Sequence, residues 1–227
     1  MAHPTTTPPR AAGFAVANDT FLGSLRASPA LLAAVWVGLV ALGVAGRLSQ
    51  PAWHVTPMAG VALAAGAVFA NPLVAATVPL AALLVSNLGL DAYDSLPMAA
   101  VVFAATAWPV LLGGLMRRAT AGGRVAGVFA ILGGALASSL VFFLATNLAF
   151  WWFTAEYPHT TEGLVACFTA ALPFYRWMPV GDAAWSLATF GGLAAAARIV
   201  DAAVARGLQP VAATAESAPV KRVSDVA

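Results

Sequence analysis

Charge is scarce in this sequence. Asp, Glu, Lys and Arg together make up 9% of the 227 residues, whereas the apolar types reach 61%. Soluble domains carry about 25% charged residues, so this chain cannot clothe a water-facing surface of ordinary chemistry. That excludes a cytosolic enzyme, an ordinary nucleic-acid binder and a disordered chain, and it makes the lipid bilayer the first expected partner. Cysteine is nearly absent. The single Cys167 excludes an intrachain disulfide and any cysteine-rich zinc or iron–sulfur site. Nucleotide-binding sequence is missing too, with no GxxxxGK[ST], and there is no HExxH of a membrane metalloprotease. The net charge of +2 is too small to point to nucleic acid or another polyanion.

What is present is a series of long apolar runs. Residues 1–28, rich in Thr, Pro and Ala, read as a mobile N-terminal tail, with Phe21, Leu22 and Leu25 on the membrane surface. The membrane domain is expected over 29–200 and a mobile C-terminal tail over 201–227. Six spans are expected, at 29–46, 57–70, 72–90, 97–116, 125–146 and 181–200. The second and third permit another reading, a single broken helix. Together they would measure about 51 Å at 1.5 Å per residue, too long for one crossing. The apolar stretch 163–172 is too short to cross and reads as an interfacial or partly buried helix. With both termini in the cytoplasm, nine basic residues fall on the inner side, and only Arg47 and Arg176 fall outside. This positive-inside split supports a multi-pass protein of the cell inner membrane.

Small residues recur at four-residue spacing. Ala30, Ala34 and Gly38 share one face of the first span; Ala62, Gly66 and Ala70 do so in the second. Such faces admit close helix approach, either inside the bundle or against another subunit. Polar and aromatic residues gather at the outer ends of the spans, whereas an aromatic belt alone would mark both interfaces. Either that belt is lopsided or the outer segment builds a pocket. The pocket reading takes Asn147, Trp151, Tyr157 and His159 as lining, with Trp53 and His54 closing it from the first outer loop. Trp and Tyr cover a planar ligand while keeping a polar tip, and Asn offers both donor and acceptor. His54, His159 and Cys167 have no recognised metal spacing, so neither metal nor cofactor is expected. Spans one to five carry no acid at mid-span, which argues against a proton pump. No catalytic constellation can be assembled, and the chain is not expected to be an enzyme.

Two stretches resemble an uncharacterised bacterial integral-membrane family. One is HVTPMAGVALAAGAVFANP at 54–72, where His54-Val55 stands in place of that family's Asn-Phe. The other, at 138–182, carries Phe142-Phe143, Thr146-Asn147, Trp151, Tyr157-Pro158, Gly163-Leu164, Ala166-Cys167 and Pro173-Phe174. That family is distantly similar to the substrate-binding components of energy-coupling-factor vitamin transporters. The resemblance implies an all-α, six-helix transmembrane bundle that binds a small molecule near its outer face. It also implies partners: a transmembrane coupling subunit with ATPases, met through a face such as Ala30–Ala34–Gly38. The expected function is therefore a small-molecule binding component of an uptake system. A structural or accessory membrane subunit is the alternative, and a membrane enzyme of unknown chemistry the third.

Overall fold

The computed structural model describes residues 22–49, 55–90, 93 and 95–207. Among them every regular element is helical: α1 Pro29–Ser49, α2 Met58–Val68, α3 Pro72–Ser86, α4 Leu96–Ala107, α5 Gly113–Ala121, α6 Arg124–Phe153, α7 Thr161–Tyr175 and α8 Met178–Gly207. Local chemistry sets the breaks. Asn71 caps α3 by accepting the Leu73 amide at 2.8 Å, with Pro72 in the first turn. Ser95 caps α4 in the same way. A 3-10 segment, Trp108–Leu112, joins α4 to α5 at Pro109, which has no N–H to give the ladder. Gly123, at φ +121°, turns the chain between α5 and α6.

The large apolar side chains face outward. Leu73 is 78% exposed, Leu111 73%, Phe129 71% and Ile199 70%, on four different helical segments. In each of the five long apolar helical segments, no more than a third of the most apolar stretch is buried inside the protein. An outer surface of Leu, Phe and Ile around a helical bundle matches lipid, not water. The chain is an all-α, polytopic membrane protein. Five helical segments are long enough to cross: α1, α3 with its 3-10 extension to Gly89, the α4–α5 unit, α6 and α8. The sixth expected span behaves differently. Helix α2 has 11 residues, about 16 Å of helix, half the thickness of a hydrocarbon core.

Helix α2 is the axis of the bundle, and all of its residues are buried. Helices α1, α3, α4, α5, α6 and α8 and the 3-10 segment pack around it. Its sequence, MAGVALAAGAV, permits this because small side chains let many neighbours approach one short helix. A Cβ on Gly60 would lie 2.9 Å from the Ser186 backbone of α8. Burial of the α2 C-terminus raises an accounting problem, since four terminal carbonyls have no partner within the helix. All four are satisfied. Ala65 O accepts from the Phe69 amide at 2.9 Å, and Gly66 O accepts from Arg117 Nη1 at 2.6 Å. Val68 O accepts from Arg26 Nε at 2.9 Å, and Ala67 O from Arg26 Nη2. Two cations therefore cap the negative end of the α2 dipole. Burial, and then neighbouring Arg117, hold Arg26 below the ordinary guanidinium value.

The domain reaches beyond the expected limits at both ends. Leu22 and Leu25, expected on the membrane surface, are buried, and Ser24 Oγ donates to Ala197 O of α8. Helix α8 continues to Gly207 and α6 to Phe153. Phe21 and the remainder of both expected tails lie outside the described residues.

Candidate functional site

The end of the bundle opposite the Arg26–Arg117 caps contains a partly enclosed cavity of about 150 Å³. Six helices and the 3-10 segment contribute to its wall. Arg47 comes from α1, Met58 and Ala59 from α2, Leu83 from α3, Thr106 from α4, Pro109 from the 3-10 segment, Ser138 and Phe142 from α6, and Met178 and Asp182 from α8. Most of this wall is apolar. The exceptions are a guanidinium, a carboxylate and a few hydroxyls, a composition typical of small-molecule sites.

Each charged group is positioned by a nearby break in the fold. The missing side chain of Gly46 lets the Pro57 ring press against α1; a Cβ there would lie 2.2 Å from Pro57 Cδ. This contact sets Arg47 beside the first turn of α2. Arg47 Nη1 also crosses to the end of α3, donating to Ser86 Oγ at 2.5 Å and Asn87 Oδ1 at 2.8 Å. Among the described residues its acceptors are all neutral, and Nε and Nη2 have none. Asp182 lies in the first part of α8 and is only 7% exposed. Its Oδ2 accepts from Ser139 Oγ of α6 at 2.6 Å. Its Oδ1 has no donor among the described residues, and Asp182 and Arg47 form no ion pair. A buried acid in a membrane helix is a functional candidate on energetic grounds alone.

The positioning role of Ser139 is testable. Ser139→Ala removes the one described donor to a buried carboxylate and is expected to cost about 1–3 kcal/mol in thermal stability. Ser138 is adjacent but bonds only to Gly134 O within its own helix. Ser138→Ala is expected to have the smaller effect in the same melting assay.

The aromatic segment forms a separate cluster. Trp151 Nε1 donates to Pro158 O at 3.0 Å, tying the 154–160 loop to the end of α6. The His159 ring meets Trp151 edge-on at 5.3 Å and stacks on Trp152 at 5.8 Å, while Tyr157 meets Phe150 at 6.4 Å. Gly163 opens α7 against this loop, where a Cβ would lie 2.0 Å from Pro158 O. Trp151, His159 and Tyr157, expected as pocket lining, are gathered around one loop, and none lines the charged cavity. Asn147 Nδ2 is turned to Phe143 O of its own helix at 2.7 Å. Its backbone carbonyl accepts from Cys167 Sγ at 3.6 Å, and burial raises the Cys167 thiol pKa. Trp53 and His54 lie outside the described residues. Among those described, no group of three His, Cys, Asp or Glu is placed to hold a metal ion.

Sequence reasoning missed that Arg47 and Asp182 line one cavity. Both were visible as charges near span ends, but nothing in either local pattern shows that they meet.

The small-residue face of α1 borders a second feature. Ala34 and Gly38, with Ala188, Gly192 and Ala196 of α8, line an open apolar groove of about 440 Å³. A Cβ on either Gly38 or Gly192 would meet nothing within 4 Å. Ala30 is exposed one turn before Ala34 but does not line the groove.

Fold and site together define a polytopic helical membrane protein with a charged cavity at one end of its bundle. The chain belongs to a family of unknown function, DUF6580, whose model matches residues 27–205. No curated protein and no solved structure matches it.

Proposed function

We propose that this protein is the membrane-embedded binding component of a small-molecule uptake system. The observation that carries the reading is the cavity between Arg47 and Asp182. Arg47 and Asp182 line one space without pairing with each other, and neither has an ionic partner among the described residues, an expensive arrangement unless something else completes it. Nothing in the sequence supplies energy for transport, so the reading includes partner subunits: a transmembrane coupling subunit with ATPases. The open groove between α1 and α8 suits such a partner, because Gly38 and Gly192 leave room for a helix backbone to approach. The likeness to energy-coupling-factor binding components, with its six-helix bundle, belongs to this proposal. Without a ligand, the same groove supports the accessory-subunit reading.

The direct test is mass spectrometry of small molecules retained by the detergent-solubilised protein. A retained compound lost from Asp182→Asn but kept by Trp151→Ala places binding in the charged cavity. Loss from Trp151→Ala by tenfold or more, the effect expected of a buried aromatic anchor worth about 2 kcal/mol, places it in the aromatic segment instead. No retained compound in any preparation favours the accessory subunit.

Sidedness is part of the proposal: the cavity faces outward and both termini are cytoplasmic. In a Cys167→Ser background, single cysteines at positions 92 and 157 are expected to react with an impermeant thiol reagent added outside cells. A cysteine at position 121, beside Arg117, Arg118 and Arg124, is expected to remain unlabelled. Outside labelling at 121 reverses the orientation.

A further inference from the structure

Beyond the two side chains, a third feature of the cavity bears on what it takes. Helix α2 begins at its wall, with Met58 and Ala59 both lining it. Pro57 supplies no side-chain cap, and the first bond of the helix runs from the Val61 amide to Pro57 O at 2.8 Å. The amides of Met58, Ala59 and Gly60 therefore have no acceptor among the described residues. Free amides and the positive end of a helix dipole favour an anion. Arg47 stands at the same end, beside the Gly46–Pro57 contact, with Nε and Nη2 lacking an acceptor among the described residues. Helix α8 brings Asp182 to the same cavity, where Oδ1 has no donor among the described residues and the residue is more than nine-tenths buried. Between the two poles the wall is apolar, with Leu83, Val102, Phe142 and Met178.

We propose that the cavity binds a small zwitterion of the amino-acid type. Its carboxylate would lie against Arg47 and the first turn of α2, its ammonium against Asp182, and its methylenes against the apolar wall. A ligand carrying both charges completes both poles at once. A singly charged ligand leaves the other pole unmatched in a low-dielectric space, which costs binding energy. The volume of about 150 Å³ suits a small ligand. This inference rests on the ligand-binding reading above and refines it.

The experiment compares matched probes on the wild-type protein in lipid nanodiscs by calorimetry and thermal shift. Glycine, β-alanine and γ-aminobutyrate are the zwitterions. Acetate, propionate and butyrate lack the amine; methylamine, ethylamine and propylamine lack the carboxylate. At least one zwitterion is expected to bind tenfold or more tightly than both of its single-charge partners. Arg47→Gln and Asp182→Asn are each expected to lose tenfold or more of that affinity while keeping the wild-type gel-filtration profile. The wild-type comparison decides even where a variant does not fold. Failure of every zwitterion that binds to exceed both of its single-charge partners overturns the proposal, as does undiminished affinity in both folded variants. A retained compound that is not zwitterionic, with all nine probes silent, removes this inference and leaves the uptake reading standing. Silence of every probe with no retained compound removes both.

Discussion

Gly113→Val is expected to abolish monodisperse, folded protein. A Cβ at position 113 would lie 2.0 Å from Gly66 O and 2.2 Å from its carbonyl carbon. The obstruction is the backbone of α2, and α2 cannot retreat because every one of its residues is buried among neighbouring helices. The crossing is tight from the other side as well, since a Cβ on Gly66 would lie 2.3 Å from Val110 O. Overpacking a core by methylenes typically costs about 1–3 kcal/mol and sometimes more. Here the clash also displaces Arg117, four residues along the chain, from the Gly66 carbonyl that it caps. Fluorescence-detected gel filtration reads the outcome. Gly133→Ala and Gly191→Ala are the controls, because a Cβ at either position meets nothing within 4 Å. Both are expected to be neutral or slightly stabilising, since Ala is the better helix former. A wild-type profile for Gly113→Val would show that α2 and α5 do not cross at these glycines.

The second large effect is expected at Arg26. Arg26→Ala leaves Ala67 O and Val68 O, two of the four terminal carbonyls of a buried helix, without donors. An orphaned buried acceptor costs about 1–3 kcal/mol, so the loss is expected to be roughly twice that of Arg117→Ala, which orphans Gly66 O alone. Arg26→Lys should recover only part of it. One ammonium on a flexible stem does not reproduce a planar fork whose Nε and Nη2 reach consecutive carbonyls. Thermal melting of the three variants in one detergent gives the ranking. An Arg26→Ala protein as stable as wild type would mean that water or lipid headgroups reach these carbonyls and that the α2 C-terminus is not sealed.

The two substitutions mark the boundary between what was legible in the sequence and what was not. Apolar runs located the helices of the bundle and the short helix at 161–175 because lipid demands length and composition, both of which are local. Punctuation at Asn71-Pro72, Ser95 and Gly122-Gly123 located the breaks because caps and positive φ are properties of single residues. Arg26 illustrates the limit. By sequence it was one charge in the inner-side tally, whereas in the fold it ends a helix that begins 32 residues later. The α2 segment itself reads as one more small-residue span. Only packing against neighbours on every side distinguishes an axis from a lipid-facing helix.

The same division runs through the site. Aromatic and polar residues at 147–159 stand close in sequence, and their gathering around one loop follows from that proximity. Arg47 and Asp182 are on the first and last long helices, and no periodicity connects them. Sequence by itself determined that this chain lives in a bilayer, how its apolar runs are divided and which end collects arginine, because the partition of side chains between lipid and water is decided residue by residue. The tertiary structure alone decided that α2 is an 11-residue buried helix, too short for a hydrocarbon core, that two arginines close one of its ends, and that a guanidinium and a carboxylate face a common cavity at the other. These depend on which helices become neighbours, and that is settled by the fit of whole helix faces around a short, small-residue core.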